Sequence, residues 1–374
     1  MGPGRKFGGG IVIGTRGSAL ALRQAEAVKD ALVAKVPGLV VSLRTISTRG
    51  DRILDRPLPS LGDKGTFTKE LDQALMAGEV DMCVHSMKDV PQRLPEGLAI
   101  GAMLPREDPR DALVFGSGTV EPMTPDRLPE GARIGTSSVR RAAQLRHMLP
   151  GIRIVDIRGN VETRVRKALG TGMDGAILAM AGLRRLGLEG MASSELPVEW
   201  MVPAPGQGAI GIEVRDGDER VAELCRTIDD EVTSLAVDAE RRLSCALGGG
   251  CTAPFAAYAR IERGDGRSGG QAAGWALDAM ALSPDGCRSC RTRLDSQDPS
   301  SASLERLVED ALEELRSSGA ETIMAERANP DAMAFEREDR DAMAADALDA
   351  DASMAEGRDA AEAMPLARGG EDSA

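Results

Sequence analysis

One feature constrains this chain more than any other. A strand–turn–helix rhythm runs through it twice and is broken twice by proline and glycine. Residues 11–15 read as a short buried strand that runs into Arg16-Gly17-Ser18, where Ser18 can cap a helix over 19–35. A β-branched strand at 40–46, a glycine-rich loop at 61–66, an amphipathic helix at 68–77 and strands at 81–85 and 98–104 follow. This alternation implies an α/β lobe, a mainly parallel sheet covered by helices. The segment 105–110 punctuates it, and the rhythm restarts. A strand at 133–135 leads through Thr136-Ser137-Ser138 into a helix ending near 149. A strand at 152–157, a helix at 161–169 opened by Asn160, a strand at 176–178 and a helix to 186 complete a second lobe.

Pro203-Ala204-Pro205-Gly206-Gln207-Gly208 breaks the chain again, and the lone strand at 209–214 is expected to return to the first lobe. Two crossovers would make a hinge. The expected division is 1–104 with 204–222 for the first lobe, 105–203 for the second, and 223–327 for a small α+β third domain. In that domain, helices at 218–227 and 232–243 precede strands at 254–261, 275–282 and 290–294 and a helix at 303–316. A glycine-rich stretch at 263–274 reads as a hairpin turn, and 328–374 as a loosely structured acidic tail.

Charge and aromatic content narrow the function. The net charge is −13, but 328–374 alone carries −9, which leaves the body close to neutral. Aromatic residues are 2% of the chain, so the cores must be built from Leu, Val, Ile, Ala and Met. Nucleic-acid binding by base stacking lacks its platforms, and there is no basic stripe for a polyanion of that size. The basic residues are nearly all arginine, whose planar fork grips carboxylates. No apolar run reaches the length of a membrane span, and residues 1–10 lack the apolar stretch of a signal peptide. The six cysteines read as thiols of a cytoplasmic protein.

The chemistry-bearing residues sit at strand exits. Helix N-termini at Ser18 and Ser138 offer free N–H groups and a positive dipole end, each with arginine close by: Arg16 in one, Arg140 and Arg141 in the other. Capping alone accounts for either turn; two of them point to a ligand with several anionic groups. Arg158, Arg164, Arg184 and Arg185 follow other strands of the second lobe, at the sheet end where open α/β folds bind ligands. His85-Ser86-Met87-Lys88-Asp89-Val90-Pro91 follows a buried strand. Spacing alone makes Asp89 a turn residue and His85 structural, although a carboxylate facing a cleft can stabilise a cation or move protons. Cys251 follows three glycines that permit a tight turn, and on residue type alone it is a loop cysteine. Cys245 falls in a helical pattern and is expected to be buried. Cys287 and Cys290 form a single CxxC without the second pair a zinc site needs.

Taken together, these motifs resemble the porphobilinogen deaminase (hydroxymethylbilane synthase) family. The matching stretches are Thr15-Arg16-Gly17-Ser18, Thr48-Arg49-Gly50-Asp51, Lys64-Gly65 with Phe67, His85 to Pro91, and Arg106-Glu107-Asp108-Pro109-Arg110-Asp111. Gly135 to Ser138 with Arg140-Arg141, Arg158-Gly159-Asn160, Ala181-Gly182-Leu183, Gly206-Gln207-Gly208-Ala209 and Gly249-Gly250-Cys251 continue the set in unbroken order. The resemblance implies two lobes like those of type II periplasmic binding proteins and a third domain carrying the cofactor cysteine. It implies a cytoplasmic transferase, monomeric, that condenses four molecules of porphobilinogen with release of ammonia and hydrolyses off hydroxymethylbilane, without metal, nucleic acid or membrane. A dipyrromethane cofactor would be held by a thioether to Cys251 and bound by Ser18, Lys88, Asp89, Ser138, Arg140 and Arg141. Asp89 would be the catalytic carboxylate, with Arg16, Arg158, Arg164, Arg185, Phe67 and Lys64 on the substrate. The loop departs from many relatives in having no acidic residue before Gly249-Gly250-Cys251. A non-catalytic binding protein with the same two lobes is the rival reading, and it makes Cys251 dispensable.

Overall fold

The computed structural model describes residues 10–48, 68–116, 124–170, 172–249, 253–263 and 273–325. Lys64, Phe67, Cys251, the glycine-rich hairpin and the acidic tail lie outside the described residues.

The first lobe is built on β1 (Ile11–Thr15), α1 (Ala19–Lys35), β2 (Val41–Thr45), α2 (Lys69–Met76), β3 (Met82–Ser86) and β4 (Leu98–Met103). The second contains β5 (Asp111–Phe115), β6 (Arg133–Gly135), α3 (Val139–Met148), β7 (Arg153–Val155), α4 (Val161–Leu169), β8 (Gly175–Ala179), α5 (Met180–Arg185) and β9 (Ser194–Glu195). The chain then makes β10 (Ile210–Arg215), α6 (Glu219–Ile228), α7 (Glu231–Ala246), β11 (Phe255–Arg263), β12 (Ala273–Leu282), β13 (Ser289–Asp295), α8 (Ser301–Ser317) and α9 (Ala320–Ala325).

The two five-stranded sheets share one plan, β2-β1-β3-β10-β4 and β7-β6-β8-β5-β9. In each, the strand fourth in this order runs against its neighbours: β10 pairs antiparallel with β3 and β4, β5 with β8 and β9. Each of these strands is the first made after a crossover. The chain enters the second lobe on β5 and re-enters the first on β10, which gives the two type II periplasmic-binding-protein-like lobes and the hinge between them. The expectation of a mainly parallel sheet is sharpened accordingly. Strand β5, directly after the 105–110 linker, has no counterpart in the sequence reading, because a charged residue, Asp111, opens its apolar run.

The lobe cores are aliphatic, as the scarcity of aromatics required. Ile11, Ile13, Met82 and Ile212 of the first sheet pack against Ala25, Val28 and Leu32 of α1 and Val221, Leu224 and Cys225 of α6. Each fully buried Leu, Ile or Val contributes about 1.5–3 kcal/mol. Leu224, Cys225 and Ile228 therefore belong to the first lobe's core, beyond the expected boundary at 222. In the third domain, β11-β12-β13 form an antiparallel sheet covered by α7, α8 and α9. Strand β12 is buried on both faces, because its other face, with Met280 and Leu282, packs on Ala143 and Val202 of the second lobe. No described helix is long and apolar enough to cross a membrane.

Candidate active site

In the first lobe the site begins where β1 turns into α1. Ser18 Oγ accepts a hydrogen bond from the Ala21 N–H at 3.3 Å, and the buried Thr15 hydroxyl donates to the Ala21 carbonyl at 3.1 Å. The turn so fixed places half-buried Arg16 at a pocket also lined by Ser18, Gln24, Thr68, Ser86 and Asp89. Strand β3 ends at Ser86, and Met87–Asp89 forms a single 3-10 turn. Met87 is driven into the core, where Gly211 of β10 makes room: a side chain at 211 would overlap the Met87 sulfur. With Met87 anchored inward, Lys88 and Asp89 project into the cleft. Beneath them, buried His85 Nε2 lies 3.0 Å from Glu213 Oε2. Asp72 joins this cluster, its carboxyl pushed up to about 6 by burial and by the Glu213 carboxylate. His85 thus pairs with Glu213 in the core and also lines the first pocket.

In the second lobe Ser138 caps α3, accepting from the Arg141 N–H at 3.5 Å. The two arginines of that first turn both reach the fully buried Asp111: Arg140 Nη2 at 2.7 Å from Oδ2, and Arg141 Nη2 at 2.7 Å from Oδ1. Burial alone would raise the Asp111 pKa, but the two guanidiniums hold it well below the usual carboxylate range. Arg140 also donates to the Val202 carbonyl at 2.6 Å and lines neither pocket. Arg141 is paired in the same way, its Nη1 donating to the Ile177 carbonyl at 3.0 Å. Arg141 keeps an edge in the cleft. Ser138 and Arg158 also lie outside both pockets; Arg158 Nε is 3.2 Å from Asp156. Arg184 and Arg185 diverge because consecutive helix residues point about 100° apart. Arg184 meets Glu107, Asp108 and Glu195 on the exposed side of the crossover, whereas Arg185 donates to the Gly208 carbonyl at 2.6 Å from within the cleft.

The second pocket lies between the lobes and adjoins the first through Leu20 and Ser86. Lys88 enters it from the first lobe and Arg141, Arg164 and Arg185 from the second, and no carboxylate is among its described lining residues. Burial and the neighbouring Arg141 push the Lys88 ammonium down to about 8. Burial brings Arg164 and Arg185 down to about 10. Four cations, three of them pushed toward neutrality, meet in a pocket whose described lining residues include no carboxylate. An anionic ligand completes such a site. A dipyrromethane with acetate and propionate arms fits this donor set.

The third domain reaches the site through α7. Arg241 donates to the carbonyls of Val90 at 3.1 Å and Pro91 at 2.6 Å, and Gln92 and Ser244 are hydrogen-bonded side chain to side chain. The helix that leads into the Cys251 loop is therefore fastened to the segment following Asp89. Cys245 is half-buried rather than buried, since its neighbour Ser244 takes the inward position.

Several residues of the site were not read from the sequence. Gln24 is 3% exposed, and its amide nitrogen lies 2.8 Å from Ser86 Oγ in the first pocket. Its signal is a polar residue inside the buried stripe Ala21, Ala25, Val28 and Leu32 of α1. Asp111 and Gln207 carry no periodic signal; their importance lies in contacts about 100 residues apart in sequence, such as Gln207 Nε2 to Asp111 Oδ1 at 2.8 Å.

Comparison with known proteins agrees with this geometry. The family model described as porphobilinogen deaminase, dipyromethane cofactor binding domain, matches residues 11–223, and the model for the porphobilinogen deaminase C-terminal domain matches 234–317. The porphobilinogen deaminase of Syntrophobacter fumaroxidans is 46% identical over 318 residues, covering 84% of this chain and 97% of that protein. Those of Roseiflexus sp. (strain RS-1) and Syntrophotalea carbinolica are 49% and 52% identical, each over 67% of this chain and covering 82% and 78% of the relative. With its cationic interlobe pocket, its lobe plan and the match over both family domains, the chain belongs to the porphobilinogen deaminase family.

Proposed function

We propose that the chain is a transferase that joins four porphobilinogen molecules head to tail on a dipyrromethane primer anchored at Cys251, with Asp89 as the catalytic carboxylate. The observation that carries this reading is the pocket between the lobes, where Lys88, Arg141, Arg164 and Arg185 converge without a carboxylate. Each porphobilinogen brings one acetate and one propionate, so a growing chain accumulates negative charge. Cations already desolvated bind such groups with charge-assisted, often two-pronged hydrogen bonds. Arg16 and Ser18 extend the anion-binding wall into the neighbouring pocket, where Asp89 is the single lining carboxylate.

The bound dipyrromethane supplies the free pyrrole carbon at which the first new carbon–carbon bond forms. In each cycle the carbon–nitrogen bond of the incoming aminomethyl group breaks, and ammonia departs. Positive charge is left on the incoming pyrrole and its methylene carbon. Asp89 offsets that charge and takes part in moving the proton lost when the new bond forms. Water finally displaces the finished tetrapyrrole as hydroxymethylbilane. The attachment of α7 to residues 90–92 supports an anchor at Cys251, since it fastens the helix preceding that cysteine to the segment after Asp89. Cytoplasmic location and a monomeric state follow from the family resemblance alone.

Intact-mass measurement of the purified protein tests the anchor. The expected result is an excess mass of two pyrrole units, absent in Cys251→Ser; an unmodified chain that still consumes porphobilinogen overturns it. Asp89→Asn is expected to retain the adduct and lose turnover by roughly 100-fold or more. Near-normal turnover in that variant removes the catalytic role.

A further inference from the structure

Gln207 lies on the second crossover, is 1% exposed, and lines neither pocket. Its side chain nevertheless meets groups from both lobes and the other crossover. Nε2 donates to the Pro109 carbonyl at 2.7 Å and to Asp111 Oδ1 at 2.8 Å. Both partners are acceptors, so the amide nitrogen must face them and Oε1 must face Lys88 Nζ, 3.4 Å away. The backbone is held from the first crossover and the third domain. Arg106 Nε donates to the Gln207 carbonyl at 2.9 Å, and Glu240 of α7 binds both the Arg106 guanidinium and the Gly206 N–H at 2.7 Å.

One amide therefore links a cation of the first lobe to the carboxylate that holds Arg141 in the second. Lys88 and Arg141 repel each other in a shared pocket, and something must hold them there while ligand is absent. A carboxylate at position 207 would hold Lys88 but would also neutralise it and compete with the substrate's own carboxylates. An amide gives a hydrogen bond without a charge. We infer that Gln207 is a positioning residue for the condensation: a neutral spacer that fixes Lys88 and the Arg141–Asp111 pair in one register across the hinge and leaves both cations available to the substrate. This rests on the reading of Lys88 as an anion-binding residue.

The test is the pH profile of kcat/KM for porphobilinogen with the cofactor-loaded enzyme, which reports groups of the free enzyme. Charged groups facing Lys88 are Asp89 on its own turn, Asp111 on β5, and Arg140 and Arg141 on α3. Lys88 is cationic below its pKa, so kcat/KM is expected to fall as pH rises past about 8. Gln207→Glu sets a carboxylate against the ammonium and moves this alkaline limb up by roughly one pH unit or more. Gln207→Met removes the acceptor and moves it down, with KM raised roughly tenfold. A residue that merely supported the fold would lower activity in both variants and leave the limb in place, and that result overturns the inference. If the buried carboxylate of Gln207→Glu beside Asp111 prevents folding, the downward shift in Gln207→Met decides alone. Lys88→Ala separates the two claims. A limb that persists in it defeats the anion-binding reading of Lys88; a limb abolished there but unmoved in the Gln207 variants defeats only the role of Gln207.

Discussion

The turns that open α1 and α3 are near copies in sequence and differ in what surrounds their arginines. Each leaves a strand, each is capped by a serine, and each has arginine within two or three residues of that serine. In the first lobe Arg16 precedes the helix and stands half-buried in the pocket. In the second, Arg140 and Arg141 lie inside the first helical turn, where a buried carboxylate on β5 awaits them. Arg140 binds that carboxylate and the Val202 carbonyl, and Arg141 the same carboxylate and the Ile177 carbonyl. The same local signature thus sets a half-buried arginine at a pocket in one lobe and two arginines on a buried carboxylate in the other, one of which also lines the pocket between the lobes. What decides is whether the crossing strand beneath it begins with an acid. Strand β5 begins with Asp111; strand β10, its counterpart, begins with Ile210.

This contrast can be broken most directly through Asp111. Asp111→Asn leaves two buried guanidiniums without their counter-charge and is expected to lower stability by about 3–5 kcal/mol in denaturant unfolding. Arg140→Met, which strands the acid's Oδ2, should also be costly, whereas Arg16→Met should cost under about 1 kcal/mol. Equal stability losses in the two arginine variants would end the distinction between the turns. A smaller effect separates them in steady-state kinetics. Arg16→Met is expected to raise KM for porphobilinogen roughly 10- to 100-fold, the worth of a hydrogen bond to a charged group, with kcat changed less. An unchanged KM would place Arg16 outside the binding wall. The smallest effect sharpens what the turns share. Ser18→Ala and Ser138→Ala should each lose about 1 kcal/mol of stability through the lost cap, but only Ser18→Ala should also weaken substrate binding, since Ser18 lines a pocket and Ser138 does not. Equal kinetic effects would show that the second turn also reaches ligand.

Legibility followed the range of the interactions. Capping serines, helix bounds and most strands were readable because the groups that settle them lie within a few residues. Helix α4 and its Asn160 cap, with Oδ1 accepting from the Thr163 N–H at 2.8 Å, emerged as read. Strand β5 was hidden because its pairing with β8 joins Asp111 to Ala179, and nothing near 111 announces it. Arg140 and Arg141 could not be told apart in sequence. They are neighbours on one helix turn, both buried on Asp111; Arg140 also donates to the Val202 carbonyl and Arg141 to the Ile177 carbonyl, and of the two Arg141 lines the pocket between the lobes. Gln24 was the nearest miss, a polar residue in a buried stripe whose partner Ser86 comes from another strand.

The sequence by itself determined the two α/β lobes, the two crossovers between them, the third domain and the ordered motifs of the family, because periodicity, capping and turn chemistry are local. Only the tertiary structure decided which arginines line the pocket between the lobes, that α7 is fastened to the Asp89 segment, and that Gln207 joins Lys88 to Asp111. Those outcomes depend on which buried charges meet across the hinge. A buried charge must find its partner wherever the fold supplies one, however far away along the chain.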